Sequence, residues 1–321
     1  MTLIIIAIIL LLCEIGYFHF AERYKIVCHP TSVSSHKDVV IRGGGIIFYL
    51  GALIFFVASG FEYPWFILGL SLIAAISFLD DLSNVPIIHR ATVQLISVLF
   101  LLYQVGITTT LPWWTSLIAL IVCTGMINAY NFMDGINGIT GAYTLSILVP
   151  LTILNSEYAF VDPSLIWITG IAVLIFSFFN FRVNARCFAG DIGSVSIAYI
   201  MLFMAIQLML TSGNLWYLIF FAVYGVDSVL TICHRIILGD NIFERHRKHV
   251  YQIMSNELHL PHTLVATIYG TLQLAISLGA LYLPIDKWLY FGVVISLLSV
   301  VYIVFINRFY RLHEVFLSTL K

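Results

Sequence analysis

The segment Asn128-Ala-Tyr-Asn-Phe-Met-Asp-Gly-Ile-Asn-Gly-Ile-Thr-Gly141 interrupts a chain that otherwise consists largely of long apolar runs. Its fourteen positions hold three Asn, one Asp and three Gly, and the flanking runs are long enough to cross a bilayer. Carboxamide and carboxylate groups in such a setting are costly unless they find partners, so they usually mark a functional site. The glycines allow positive φ angles and a close approach of the backbone to a ligand. The segment therefore predicts a site at a membrane–water boundary.

The composition of the chain indicates a polytopic membrane protein. Of its 321 residues, 61% are hydrophobic and 10% are charged, and the mean hydropathy is +1.01. Soluble domains carry about 25% charged residues. The net charge of −1 gives no indication of nucleic-acid binding. The first apolar run, from Leu3 to Cys13, lacks the basic flank and cleavage site of a signal peptide, so we expect it to remain as a span.

A bilayer span requires about 20 predominantly apolar residues, and the chain contains about eleven such runs. The runs lie at 3–20, 44–60, 63–79, 91–106, 112–130, 138–155, 164–180, 192–211, 214–232, 262–283 and 288–306. The sequence therefore predicts an all-α bundle of about 11 spans that forms a single domain over residues 1–321.

The distribution of Lys and Arg predicts the orientation of the bundle. Placing the N-terminus outside makes six segments cytoplasmic, namely 21–43, 80–90, 131–137, 181–191, 233–261 and the tail from 307. These segments hold 14 of the 15 basic residues and leave only Lys287 outside. Such a bias follows the positive-inside rule. We therefore predict that the N-terminus lies outside and that the C-terminus is cytoplasmic.

Four carboxylates gather at the predicted cytoplasmic ends of spans. Asp80 and Asp81 end an apolar run, where two acids oppose the helix dipole and stability alone favours Lys or Arg. Paired acids attract a divalent cation and raise each other's pKa, although solvated loop residues are the alternative interpretation. Asp134 lies in the polar segment. Asp191 opens a later span between two glycines, either as a simple N-cap or beside a phosphate held at the helix N-terminus.

Two groups of basic residues lie on the same predicted side. Arg90 begins a span, where it can be an interface anchor or the partner of an anionic lipid headgroup. The segment Glu244-Arg-His-Arg-Lys-His-Val-Tyr-Gln252 interleaves Arg and His. Such a loop binds either acidic lipids or the pyrophosphate of a nucleotide sugar. A zinc site is not predicted, because His246 and His249 have no nearby Cys or further His to complete it.

Glu14 and Asp227 lie within spans, and we expect each to be a packing or hydrogen-bonding residue that faces the bundle. A secondary transporter with an intramembrane acidic site is the alternative function for such a chain. Transporters often combine broken helices, ionisable residues near mid-membrane and repeated halves. Here most acids of interest gather on one side and no repeat is evident, which favours an enzyme.

Four ordered motifs between Arg42 and His249 resemble the polyprenyl-phosphate N-acetylhexosamine-1-phosphate transferase family, bacterial membrane enzymes of glycosyltransferase family 4 type that include undecaprenyl-phosphate GlcNAc-1-phosphate transferases. The motifs are Asp80-Asp81, Asn128-x-x-Asn131-x-x-Asp134-Gly-x-Asn137-Gly, Gly190-Asp191-x-Gly-Ser194 and Arg245-His246-Arg247. The resemblance implies a bundle of about ten or eleven helices with a cytoplasmic cleft. It also implies transfer of a sugar-1-phosphate from a UDP-sugar to undecaprenyl phosphate, with release of UMP.

The same resemblance implies a role for each matching residue. Asn131 and Asp191 would coordinate Mg²⁺, with Mn²⁺ as an alternative, and Arg90 would bind the lipid phosphate. The donor phosphates or sugar would be held by Asn137, Arg245, His246, Arg247 and His249. The catalytic carboxylates, for metal organisation or proton removal, would be Asp80, Asp81 and Asp134.

The loop Arg245-His246-Arg247-Lys248-His249 lacks the run of adjacent histidines of the peptidoglycan branch, so the resemblance favours O-antigen or capsule initiation with an N-acetylhexosamine or a deoxy derivative. The expected partners are a UDP-N-acetylhexosamine, undecaprenyl phosphate and the lipid bilayer, without nucleic acid. The sequence neither requires nor excludes a homodimer. The expected location is the bacterial inner (plasma) membrane, with four active-site loops facing the cytoplasm, at 80–90, 128–141, 181–194 and 233–261.

Overall fold

The computed structural model describes residues 3–28, 39–241 and 247–319, with side chains described as far as Leu312. In these parts of the chain the helices are α1 (Leu3–Tyr24), α2 (Ile46–Ala58), α3 (Pro64–Leu82), α4 (Ile87–Gln104), α5 (Ile107–Thr110), α6 (Trp113–Met133), α7 (Ile139–Tyr158), α8 (Pro163–Asn180), α9 (Gly190–Ser212), α10 (Ala222–Ile237), α11 (Val250–Asn256), α12 (His262–Tyr282) and α13 (Lys287–Thr319). A 3₁₀-helix at Leu215–Phe221 leads directly into α10. Two short strands, β1 (Val27–Cys28) and β2 (Val40–Ile41), pair in antiparallel fashion.

The prediction of a polytopic helical bundle is confirmed. Within the described residues, ten helical segments are long and apolar enough to cross a membrane. The remaining predicted run, 44–60, forms α2, whose 13 residues extend about 20 Å, less than the hydrocarbon core of about 30 Å. Glycines at 43, 44 and 45 precede α2, and glycine disfavours helix extension. The orientation of the termini relative to the membrane stays a prediction.

Helix α9 is the centre of the bundle. In its most apolar stretch 94% of the residues are buried, whereas the corresponding figure for α13 is 11%. A helix that is apolar on all sides suits either an interior or a lipid-facing position. The difference in burial therefore assigns α9 to the interior of the bundle and α13 to its surface. On α9, Phe203 stacks on Phe66 of α3 with ring centroids 4.2 Å apart. This contact packs the start of α3 against the later half of α9 and so holds the two helices together.

The turn that precedes α2 is hydrogen bonded to the segment that precedes α9. The amide of Gly44 donates to the carbonyl of Phe188 over 2.9 Å, and that of Gly45 to Ala189 over 3.1 Å. A Cβ on Gly193 would lie 2.6 Å from the Cα of Gly45, so the two backbones pack without side chains between them. This close approach brings Arg42, the residue before the three glycines, next to the first turn of α9.

Candidate active site

The last turn of α3 caps the first turn of α9. The carboxylate of Asp81 accepts hydrogen bonds from the amides of Asp191 and Ile192, each over 3.0 Å. These amides are among those that a helix N-terminus leaves without internal partners, and they carry the positive end of the helix dipole. Gly190 has a φ of +71°, and a Cβ there would lie 2.5 Å from Asp81 Oδ2. An acid that opposes the dipole of its own helix is therefore stabilised by the N-terminus of another.

Two arginines neutralise the carboxylates of α3 and α9. Arg42 Nε donates to Asp81 Oδ1 over 2.6 Å, and Arg42 Nη2 lies 3.9 Å from Asp191 Oδ1. Arg90 Nη1 lies 2.7 Å from Asp80 Oδ2, and Arg90 Nη2 lies 3.3 Å from Asp191 Oδ2. Buried carboxylates require such partners, because an unpaired buried charge is strongly unfavourable. Asp191 is thus bracketed by two guanidinium groups.

The two residues predicted as metal ligands lie together. Asn131, near the end of α6, has its Nδ2 3.2 Å from Asp191 Oδ1 and 3.0 Å from Ser194 Oγ. No three His, Cys, Asp or Glu side chains of the described residues are grouped so as to hold a metal by themselves. Mg²⁺ is commonly held by one or two carboxylates, with substrate phosphates and water completing the octahedron. A carboxylate beside a carboxamide fits an ion of that kind.

Asp134 follows α6 and lies beside the cluster. Its Oδ1 accepts a hydrogen bond of 2.5 Å from Thr140 Oγ1, in the first turn of α7. Burial raises the pKa of the Asp134 carboxyl to about 8, the Thr140 hydrogen bond lowers it, and the carboxylates of Asp191 and Asp81 add smaller increases. The proton occupancy of this group is therefore sensitive to its immediate neighbours near neutral pH.

Asn137 ties the polar segment to the end of α8. Its buried side-chain amide donates to the carbonyls of Arg182 and Val183 over 2.9 and 3.0 Å. The next residue, Gly138, donates its backbone amide to Asn180 Oδ1 over 2.7 Å. In this structure the Asn137 amide group therefore holds two loops together. Its predicted contact with the donor substrate stays a prediction.

The basic loop is partly described. Arg245 and His246 lie outside the described residues, whereas Arg247 and His249 are both buried. His249 Nδ1 lies 3.2 Å from Asp227 Oδ1, and the ring centroids of His249 and Phe132 are 6.3 Å apart. The described end of the loop is thus packed against Asp227 of α10 and the last turn of α6. Substrate contact by these four residues stays a prediction.

Asp227 anchors the start of α11, and its expected role as a hydrogen-bonding residue is confirmed. Besides His249, its carboxylate accepts hydrogen bonds from Tyr269 Oη over 2.6 Å and from the amide of Val250 over 3.2 Å. A second anchor is Tyr251 of α11, whose hydroxyl donates to the carbonyl of Phe132 over 2.8 Å. Helices α10, α11 and α12 therefore position the described part of the loop jointly.

The sequence analysis assigns no role to three residues of the cluster, although one of them, Ser194, stands in the motif Gly190-Asp191-x-Gly-Ser194. Arg42 lies directly before three glycines, and that position is the signal by which it could have been found. Ser194 follows Asp191 by three residues, so both lie on one face of the first turns of α9. Thr140 lies six residues after Asp134, and nothing in that spacing marks it as a partner.

Comparison with known proteins identifies relatives of this chain. The model of glycosyl transferase family 4 matches residues 63–209. Phospho-N-acetylmuramoyl-pentapeptide-transferase of Thermotoga neapolitana is 30% identical over 227 residues, which cover 65% of this chain and 72% of that enzyme. Undecaprenyl-phosphate alpha-N-acetylglucosaminyl 1-phosphate transferase of Thermotoga maritima is 24% identical over 263 residues, which cover 79% and 81% of the two chains. The chain therefore belongs to the polyprenyl-phosphate N-acetylhexosamine-1-phosphate transferase family, of glycosyl transferase family 4 type.

Proposed function

We propose that this protein transfers an N-acetylhexosamine-1-phosphate from a UDP-sugar to undecaprenyl phosphate, releases UMP, and so initiates a lipid-linked cell-envelope glycan. The observation that carries the proposal is the meeting of Asp191 with Asn131 and Arg90 at one end of the bundle. These side chains come from α9, α6 and α4. They combine oxygen ligands for a divalent cation with a guanidinium for phosphate. The names of the two relatives describe transfer onto undecaprenyl phosphate in one case and transfer of a phosphosugar in the other.

The donor that we propose carries no peptide. The loop Arg245-His246-Arg247-Lys248-His249 lacks the adjacent histidines of the peptidoglycan branch, which supports a plain UDP-N-acetylhexosamine and an O-antigen or capsule pathway. Phospho-N-acetylmuramoyl-pentapeptide transfer is the second candidate. It is favoured by the 30% identity to the Thermotoga neapolitana enzyme of that name.

The reaction joins two anions, since an oxygen of the lipid phosphate attacks the β-phosphorus of the donor. Neutralising and aligning these groups is therefore the main catalytic task. Arg90 would bind the lipid phosphate through the exposed part of its guanidinium. Asp80 Oδ2 lies 2.7 Å from Nη1 of the same guanidinium and holds it in position. Mg²⁺ at Asn131 and Asp191 would, when bound, supply positive charge to the pyrophosphate oxygens. We propose Mg²⁺ as the physiological ion and Mn²⁺ as a substitute.

The structure bears on which acid acts as a base. The second pKa of a phosphate monoester is about 6, so the acceptor is largely dianionic at pH 7 and a strong base is not obligatory. Asp81 has a fully buried side chain that already accepts from Arg42 and two backbone amides. These bonds support a role for Asp81 in organising the cluster. Asp134, whose carboxyl has a pKa raised to about 8, is the better candidate for proton transfer.

The location of the cluster suits a lipid acceptor. The cluster forms where α3, α6 and α9 begin or end, so the reacting phosphate would lie at the interface while its isoprenoid tail stays in the bilayer. We propose that this interface is the cytoplasmic one, as the distribution of basic residues predicts. The four loops at 80–90, 128–141, 181–194 and 233–261 would then form one active-site face of a single domain.

The test is release of UMP by the purified protein with undecaprenyl phosphate, Mg²⁺ and a panel of UDP-sugars that includes UDP-N-acetylmuramoyl-pentapeptide. We expect UMP only when donor, acceptor and cation are all present. Asp191→Asn should lower the rate by at least about a hundredfold, since loss of a single electrostatic contact in an active site commonly costs that much. The exposed Glu157, at the end of α7, provides a matched control as Glu157→Gln.

Two outcomes would contradict the proposal. Normal turnover by Asp191→Asn would refute its assignment as a metal ligand. No UMP from the folded, unmodified protein with any donor would favour the transporter alternative. In that case engineered cysteines near the acids should react from both sides of the membrane in alternation, whereas the acids of a transferase should be accessible from one side only.

A further inference from the structure

Arg42 lies in the cluster, yet none of the four motifs assigns it a role. Its Nε donates to Asp81 Oδ1 over 2.6 Å, and its Nη2 remains 3.9 Å from Asp191 Oδ1, beyond hydrogen-bonding distance. A guanidinium carries five N–H donors in a fixed fork. Within the described residues, the bond to Asp81 is the one hydrogen bond that the Arg42 side chain makes. Among the described residues, most of its donor capacity is therefore left for another acceptor.

The turn that carries Arg42 is rigidly held. The hydroxyl of Tyr17 donates to the carbonyl of Arg42 over 2.6 Å, and the amide of Arg42 donates to the carbonyl of Ile26 over 3.1 Å. Gly43 adopts a φ of +82° and lets the chain turn directly towards α2. Together with the contacts of Gly45 to the start of α9, these bonds fix the Arg42 backbone relative to Asp191. The fold thus holds this cation in one place at small conformational cost.

The exposed side of the cluster is cationic. The side chains of Arg42 and Arg90 are 27% and 35% exposed, whereas those of Asp81 and Asp80 are 0% and 4% exposed. The two guanidiniums lie on opposite oxygens of Asp191. The carboxylate between them, that of Asp191, is 21% exposed, so an anion that approaches from solvent meets two arginines and one carboxylate. Guanidinium pairs of this kind bind phosphate through several charge-assisted hydrogen bonds.

We propose that Arg42 is a substrate-binding residue, which together with Arg90 binds a phosphate group of one of the two substrates. This inference rests on the proposed transferase function and adds a binding residue to it. The phosphate can belong to the nucleotide sugar or to the lipid acceptor, and the chemistry of recognition is the same for both. A cation at Asp191 would repel both guanidiniums from that carboxylate and so favour their contact with phosphate.

A purely structural role for Arg42 makes a different prediction. If the residue only neutralised Asp81, any cation that reaches Asp81 would serve, and Lys would replace Arg without loss. Phosphate binding through a planar fork predicts that Lys restores the function only in part. The comparison of Arg42→Gln with Arg42→Lys therefore separates the two roles.

The experiment measures binding and turnover separately. Calorimetry with UDP in the presence of a chelator gives Kd for the donor phosphates without metal, and UMP release at varied undecaprenyl phosphate gives KM for the acceptor. We expect Arg42→Gln to raise one of these constants by about tenfold or more, as loss of a charge-assisted hydrogen bond implies. Arg42→Lys should recover part of that loss. Arg23→Gln, an exposed arginine in the last turn of α1, is the matched control and should change neither constant.

The constant that changes identifies the phosphate that Arg42 binds. The proposal is overturned if Arg42→Lys has both constants of the unmodified protein, and this result decides the question even where Arg42→Gln does not fold. It is also overturned if a folded Arg42→Gln leaves both constants unchanged. No UMP from the unmodified protein would instead contradict the transferase function, which is a separate result because the UDP arm requires no turnover.

Discussion

The carboxylates of the site differ in how far their oxygens are already used. Asp81 is buried and accepts from Arg42 and from two amides of α9, and Asp80 accepts from the amide of Val85 over 2.9 Å besides pairing with Arg90. Asp191 keeps 21% of its side chain exposed. This difference supports the proposed division of roles, in which Asp80 and Asp81 organise the cluster and Asp191 binds the metal ion.

The pH dependence of activity should report on Asp134, whose carboxyl has a pKa raised to about 8 by burial. A carboxylate is present only above its pKa, so we expect kcat/KM to fall as the pH drops through about 8. The hydrogen bond from Thr140 lowers this pKa. Thr140→Val should therefore move the acidic limb to higher pH, by about half a unit to one unit.

Thr152→Val is the control for that profile, because Thr152 also lies on α7 but its hydroxyl donates to the carbonyl of Leu148. Thr152→Val should leave the pH of the acidic limb of kcat/KM unchanged. An acidic limb that is the same in Thr140→Val and in the unmodified protein would show that Asp134 does not set it. Full activity of Asp134→Asn across the whole pH range would lead to the same conclusion.

At the scale of elements, the site is assembled by helix ends and not by side chains of one helix. The end of α3, the start of α4, the end of α6 and the start of α9 each contribute one or two of its residues. The turn before α2 joins them through backbone hydrogen bonds to residues 188 and 189. Because these bonds need close backbones, glycine is required where the turn meets α9.

Gly193→Ala tests this packing. The added Cβ would lie 2.6 Å from the Cα of Gly45, a backbone atom that cannot move aside easily. We expect overpacking to destabilise the protein by about 1–3 kcal/mol and to displace Arg42 from Asp81. The measurement is the thermal unfolding midpoint together with the rate of UMP release.

Gly125→Ala provides the comparison, since a Cβ on Gly125 of α6 has no atom within 4 Å. Alanine favours a helix interior over glycine, so this change should leave the midpoint unchanged or raise it slightly. Equal thermal unfolding midpoints for Gly193→Ala and Gly125→Ala would be incompatible with the close contact between the turn before α2 and the start of α9.

At the scale of the whole molecule, the bundle is organised around α9, with α13 largely exposed at its periphery. In a bilayer the exposed apolar side chains of α13, among them Leu297, Val300 and Val304, would face lipid. The site residues meet at one end of this bundle. The fold therefore places the site residues on the same side of the membrane. The distribution of Lys and Arg predicts that this side is the cytoplasmic one.

The orientation can be tested with cysteines that react with a membrane-impermeant thiol reagent, in a chain whose five native cysteines are replaced by serine. A cysteine at Glu157, in a loop predicted outside, should react in intact spheroplasts. A cysteine at Asn84, in the loop between α3 and α4, should react only after permeabilisation. The parent chain without cysteine controls for background, and the reverse pattern would invert the predicted topology.

The sequence by itself determined that the chain is a polytopic helical membrane protein, because the length of an apolar run and the distribution of Lys and Arg are local properties. The family resemblance carried by its motifs also implied that Asn131 and Asp191 act together, and these residues lie 60 positions apart. Only the tertiary structure showed that Asp81 caps α9, that Asn137 holds the loop after α8, and that Arg42 belongs to the cluster. Those contacts join residues that lie 39 to 111 positions apart, and they depend on how glycines and helix ends pack, which no local pattern encodes.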